Sequence, residues 1–274
     1  MTVTEQPADR DGEAQGEPTI EYLSPVSGIS FPVEFYEIGE DRHFWMQWRL
    51  AVALRLVEAS GLALDRPLRA LDIGGGPGRF RDQIERATEW RVDMTDLHLP
   101  ALRMARPARG RTLYYDVTQA DPPLLGSYDA AFVFDVIEHL ESPGPLLRAA
   151  IAHLRPGGHM FLNVPALQAL YSAYDVVQGH VRRYSTRTLA AELDPLPCRL
   201  ESASYWGFSL VPLLGLRRLL LGRTPGPNTY RAGFQPPSAI VNQALKALMR
   251  IELAFLRRPP LGTSVMAVAR KLDG

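Results

Sequence analysis

The sequence predicts one α/β domain on a mostly parallel, doubly wound sheet. Three observations predict it. Short apolar runs alternate with helical patterns, as βαβ units require. One of those runs ends in a glycine cluster, LDIGGGPGRF. A chain of 274 residues with 46% hydrophobic content can bury one large core.

In chain order, MTVTEQPADRDGEAQGEP is polar and acidic and lacks the basic and apolar regions of a signal peptide, so residues 1–20 are expected to form a disordered tail. Residues 21–62 read as an N-terminal arm and a docking helix. Phe44, Trp45, Trp48, Leu50, Val52, Leu54 and Val57 recur at near-helical intervals from about Asp41 to Ala59, and Gly61 is placed to stop the helix. Over residues 63–206, LRALDI, WRVDMT, RTLYY, DAAFVF, HMFLNV and RLESASYW are candidate strands. Residues 207–262 read as a helical cap insertion. It holds the apolar WGFSLVPLLGLRRLLLG, a Pro/Gly-rich link, and a helix near Ala239 to Arg257 with Val241, Leu245, Leu248, Ile251 and Phe255 along one face. TSVMAVARK, within residues 263–274, returns to the core as a seventh and last strand.

Lys+Arg and Asp+Glu balance at 30 each, and no aromatic-basic stripe is present, so no global field draws the chain onto nucleic acid or an anionic membrane. Local patches stay open. Cys198, the single cysteine, excludes an internal disulfide and a multi-cysteine zinc site and fits a cytoplasmic setting. The longest apolar stretch, Trp206 to Leu216, contains Pro212 and falls short of the roughly 20 residues a spanning helix needs, so no transmembrane segment is expected. The same stretch, with Arg217, Arg218 and Arg223 beside it, reads as a cap over an acceptor site, a membrane-surface contact or a dimer contact. Monomer and homodimer are both open.

The glycine cluster follows a strand ending in Asp72, where Gly74, Gly75, Gly76 and Gly78 let the backbone turn sharply and approach a ligand. Alone, such a turn could hold any nucleotide. The next strand ends in Asp96, about 22 residues after Gly74, where a doubly wound fold places a carboxylate for ribose hydroxyls. The third ends at Asp116 and Val117, near the expected adenine edge, and the fourth at Asp135. Four successive acidic strand ends suit a ligand with a sulfonium, an ammonium and a ribose better than a diphosphate.

On these residues the chain resembles the class I S-adenosylmethionine-dependent methyltransferases. The resemblance implies a Rossmann-like seven-stranded fold with an antiparallel last strand and S-adenosyl-L-methionine as cofactor. LDIGGGPG matches the family's first motif, so Asp72, Gly74 and Gly76 would line the methionine and ribose part. Gly75 stands where Cys or Ser is frequent. DLHLPALRMAR matches the second, making Asp96 the ribose carboxylate and Leu97 an adenine contact, with Asp116 and Val117 flanking the adenine. FDVIEHL and LRPGGHMFLNVP match the fourth and fifth strand regions. A bacterial subgroup is matched further by His43-Phe44-Trp45 with Arg49, by Asp175 and GHVRRYS, and by Pro260, Gly262, Ser264 and Ala269-Arg270-Lys271.

Methyl transfer to an alcohol needs the hydroxyl proton removed, by a general base or by a metal that lowers its pKa. If a helical turn follows Asp135, then Glu138 and His139 share its face, and with His180 they form a donor set for a divalent ion such as Mg²⁺. The spacing resembles the carboxylate-x-x-Glu-His motif of ubiquinone-pathway O-methyltransferases and small-RNA 2′-O-methyltransferases, which tend to have Glu where this chain has Asp135. The bland alternative leaves Asp135 on the cofactor, Glu138 in a local cap or pair, His139 as a satisfied core histidine and His180 unrelated to them. His139 and His180 are the candidate bases. Asp175, Arg182, Arg183 and Tyr184 are candidate contacts to the acceptor, since Arg forks match carboxylate or phosphate, while the bland alternative makes the Arg run a solvated helix start with Asp175 paired to it. The expected reaction is O-methylation of a small-molecule hydroxyl on a sugar or specialised metabolite. N- or C-methylation, and a cofactor-binding homologue that no longer methylates, stay open.

Overall fold

The computed structural model describes residues 18–26, 43–222 and 237–273. Most of the expected tail and the Pro/Gly-rich link lie outside them. The elements follow in order: β1 Ile20–Tyr22, α1 Phe44–Ala59, β2 Arg69–Ile73, α2 Arg79–Ala87, β3 Arg91–Asp96, α3 Leu99–Leu102, β4 Thr112–Tyr114, β5 Tyr128–Phe134, α4 Gly144–His153 and β6 Leu154–Pro165. Then come α5 Ala173–Val177, α6 Thr186–Leu193, β7 Cys198–Trp206, α7 Val211–Leu221, α8 Ala239–Phe255 and β8 Ser264–Lys271.

The strands form one eight-stranded sheet in the order β1-β4-β3-β2-β5-β6-β8-β7. The β1-β4-β3-β2-β5-β6 pairings are parallel, and β8 runs antiparallel between β6 and β7. The expected seven strands are therefore eight. Ile20, assigned to the tail, pairs with Thr112 at the sheet edge.

The two faces are buried by alternate residues of the same strands, as the two-residue strand period requires. In β5, Ala131 and Val133 join a core with Leu71, Leu162, Leu147 and Leu189, while Phe132 and Phe134 join the opposite core with Trp48, Phe80, Phe161 and Met266. Burial on both faces explains why the central strands read as continuous apolar runs. Each such Leu, Val or Phe contributes about 1.5–3 kcal/mol on leaving water.

α1 is held on this second face by Trp48, fully buried, and by Trp45, whose ring lies 4.4 Å from that of Trp206. His43 caps the helix by accepting from Trp45 N at 3.2 Å. The insertion closes over the same side: Asn242 of α8 accepts from Phe44 N, and Arg55 donates to Leu253 O. From β2 the chain steps outward to β3 and β4, then returns to β5 on the other side. That reversal makes the carboxyl ends of β2 and β5 the switch point of the sheet, the place where ligands of open α/β sheets bind. No described helix is long and apolar enough to cross a membrane.

Candidate functional site

The loop after β2 is tied down from the neighbouring strand: Gly74 N and Gly75 N both donate to Thr95 O, at 2.8 and 3.2 Å. Gly74 sits at φ +73°, and a Cβ there would lie 2.5 Å from Val136 Cγ2, so both conformation and space demand glycine. At Gly75 a Cβ would lie 2.5 Å from Met94 Cγ and 2.8 Å from Asp72 Oδ2. The large Met94 side chain thus fills the space that Cys or Ser would occupy. Asp96 braces the loop, accepting from Gly76 N at 2.8 Å and His98 N at 2.7 Å.

Asp72 is 2% exposed, and its Oδ2 has no hydrogen-bond donor among the described residues. Burial pushes its carboxyl up to about 7, against the pull of Arg49 and Arg81. Burial also raises Asp96, although the His98 and Gly76 amides oppose the shift. Two desolvated acids beside a glycine loop at a sheet switch point fit a cationic ligand. Further along the edge, Val117 is buried beside Asp116, whose Oδ1 caps the next turn by accepting from Thr118 N. Leu97 packs partly buried in the small cluster of Met94, Leu102 and Tyr114.

Asp135, just past β5, takes a left-handed backbone (φ +57°), an uncommon conformation for a residue with a Cβ. Its carboxylate accepts from Arg49 Nη1 at 2.5 Å and from Asn163 Nδ2 at 2.7 Å. Trp206 Nε1 donates to Asn163 Oδ1 at 2.9 Å, which locks the amide. A tight 3₁₀ turn at Ile137–His139 follows Asp135. The motif that carries Arg49 marked that residue without assigning it a role.

That turn brings Glu138 and His139 to His180: one ligand atom from each lies within 4.8 Å of the others. Asp135 is not in this group; it is held by Arg49 and Asn163. Glu138 is 1% exposed, and neither of its oxygens has a donor from another described residue. Burial, then the charge of Asp135, raise its pKa well above the ordinary value. His139 is lowered to about 4 by burial and by His180. The two imidazoles meet edge to face, centroids 4.9 Å apart.

His180 is oriented from behind. Its Nδ1 lies 3.0 Å from Asp175 Oδ1, which also accepts from Arg183 Nε at 2.7 Å. Burial would raise Asp175, but the His180 hydrogen bond and the Arg183 charge outweigh it and bring the carboxyl to about 2. An ionised carboxylate only accepts, so Nδ1 of His180 donates to Asp175, and Nε2 is the ring nitrogen left outside that bond. The candidate acceptor contacts each have partners within the chain. Asp175 is fully buried and completes a capping box with Ser172, Arg183 also donates to Ala166 O, and Tyr184 is buried against Ile137 O. Arg182 turns outward to Glu141. Of that set, Asp175 pairs with Arg183 and both converge behind His180, whose place in the pair their spacing in sequence does not reveal.

A family model described as a methyltransferase domain matches residues 42–196. A ubiquinone biosynthesis O-methyltransferase of Marinobacter nauticus is 30% identical over 102 residues, covering 35% of this chain and 43% of that protein. The chain thus matches less than half the length of that curated relative. Among solved structures, Haemonchus contortus phosphoethanolamine N-methyltransferase 2 in complex with S-adenosyl-L-methionine superposes with a TM-score of 0.54 at 16% identity, over 90% of this chain and 61% of that one. The [4+2]-cyclase SpnF superposes at 0.55 and 16% identity, over 86% of each chain. At such identities the likeness shows the fold alone.

Proposed function

The chain belongs to the methyltransferase-domain family of class I S-adenosylmethionine-dependent methyltransferases, and on that premise we propose that it methylates a hydroxyl of a small molecule, with His180 as the group that removes the hydroxyl proton. The observation that carries this reading is the buried pair of His180 and ionised Asp175 beside Glu138 and His139, just past the strand end at the switch point of the sheet. The O-methyltransferase name of the Marinobacter relative agrees with it.

S-adenosyl-L-methionine, when bound, supplies a methyl group on a sulfonium. In this chain Asp72 would face the cationic methionine part, Gly74 and Gly76 would admit it closely, and Asp96 would hold the ribose. Leu97, Asp116 and Val117 would flank the adenine. Arg49, drawn to Asp135, would offer its guanidinium to the methionine carboxylate. Much of the acceleration then comes from holding the acceptor in line. His180 Nε2 takes the acceptor proton, and Asp175, a positioning residue, stabilises the imidazolium that forms.

The orphaned oxygens of Glu138 support a second reading of how the proton is lost. Two imidazoles and one carboxylate fit a divalent ion, and this nitrogen-rich set suits Zn²⁺ or Fe²⁺ better than Mg²⁺. Such an ion, held by Glu138, His139 and His180, would lower the pKa of an acceptor hydroxyl. Turnover by variants distinguishes the two. If His180 is the base, His180→Ala lowers kcat by about 10²- to 10⁴-fold with cofactor affinity unchanged, while exhaustive chelation and Glu138→Gln leave most activity. Loss on chelation and in Glu138→Gln, restored to the wild type by added metal, would select the ion instead. Full activity in His180→Ala would remove both.

A further inference from the structure

We propose that the outer faces of α7 and α8 form an interfacial docking surface for anionic phospholipid bilayers. The proposal stands on the two helices and is independent of the acceptor.

α8 is apolar on two sides. One side is built in: Asn242 accepts from Phe44 N, Met249 is buried, and Glu252 accepts from the Gly207, Phe208 and Ser209 amides. The opposite side carries Ile240, Ala244, Leu248, Ile251 and Phe255, at spacings of one helical face, and all five are exposed. Ile240 and Phe255, at the two ends, are 83% and 85% exposed. α7 repeats the pattern with Leu213, Leu216, Leu219 and Leu220, and Leu219 is 80% exposed. An exposed apolar stripe along a whole helix marks a surface for interaction.

Charge says which partner. Over the described residues of 207–262, Arg217, Arg218, Lys246, Arg250, Arg257 and Arg258 stand against one carboxylate, Glu252. That carboxylate is buried and committed to the α7 entry. Arg250, Arg257 and Arg258 are exposed beside the apolar face of α8, and no described acidic side chain of the insertion is exposed with them. Lys246 is buried and Arg217 lies over the Tyr174 ring, so the exposed cations of this set are Arg250, Arg257 and Arg258, a local positive group beside the apolar stripe in a chain whose total charge is zero. A second copy docked through the same faces would bring arginines to arginines with no carboxylate from those faces to pair them. An anionic lipid surface supplies both the apolar layer and the negative charge, the combination that holds amphipathic helices in the interface plane.

Flotation of the full chain with vesicles tests this. The protein is expected to float with phosphatidylcholine vesicles containing phosphatidylglycerol, to stay behind with phosphatidylcholine alone, and to be released by high salt. The double variant Leu219→Asp/Phe255→Asp should lose bound fraction by about tenfold or more with its Tm unchanged, because both side chains are outside the core. Should that variant unfold, Arg257→Glu/Arg258→Glu provides the same test through charge. No flotation with phosphatidylglycerol, or equal flotation of folded variants, would overturn the proposal. So would a dimer in sedimentation that these substitutions disperse.

Discussion

Asp72 is an acid placed where water cannot reach it, and its titration is a direct readout of the switch point. Its folded value of about 7 lies above the ordinary 3.8, so the folded chain holds a proton that the unfolded chain releases between those values. Stability from this group is full below 3.8 and is lost as pH rises through about 7. A cationic ligand prefers the ionised form. Affinity for S-adenosylmethionine is therefore expected to rise with pH, by at most tenfold per unit, and to level off above about 7. Titration calorimetry of wild type against Asp72→Asn isolates the effect, and identical pH profiles for the two would contradict it. At this scale the acidic strand ends were legible, because Asp72, Asp96, Asp116 and Asp135 each close an apolar run. A pairing of Asp175 with the arginines near it was legible, but the work of Arg49 and the hold of Asp175 on His180 were not, since Arg49 depends on a partner 86 residues away and Asp175 on burial behind His180.

α8 shows the same division at the scale of elements. Its apolar periodicity announced a helix, yet a polar residue, Glu252, is among those that join it to the fold. Glu252 accepts from three consecutive amides, Gly207, Phe208 and Ser209, and from the Ser209 hydroxyl, which satisfies the entry to α7 from a separate helix. Glu252→Ala should cost about 3 kcal/mol in denaturant unfolding and speed amide exchange at Gly207–Ser209, because buried donors are left unmet. A loss under about 0.5 kcal/mol, or unchanged exchange at those amides, would show that the cap is dispensable. The central strands were legible because burial on both faces writes continuous apolar runs. β1 was not: three residues pair only at the sheet edge, and the ladder from Ile20 to Thr112 exists only once β4 is in place.

At the scale of the whole molecule, sheet order does what no single motif can. The reversal between β2 and β5 sets the glycine loop beside the turn at Ile137–His139, and the loop before α6 brings His180 to that turn. An acid-lined switch point and an oriented histidine then share one edge. The most direct measurement supplies the chain with S-adenosylmethionine labelled with ¹³C in its methyl group, together with pooled hydroxylated small molecules. The products are then read by carbon NMR for wild type and His180→Ala. The label should appear in methoxy carbons, matched by S-adenosylhomocysteine, and fall about 10²-fold or more in the variant. Label on nitrogen or carbon, or tight cofactor binding without any S-adenosylhomocysteine, would contradict hydroxyl methylation.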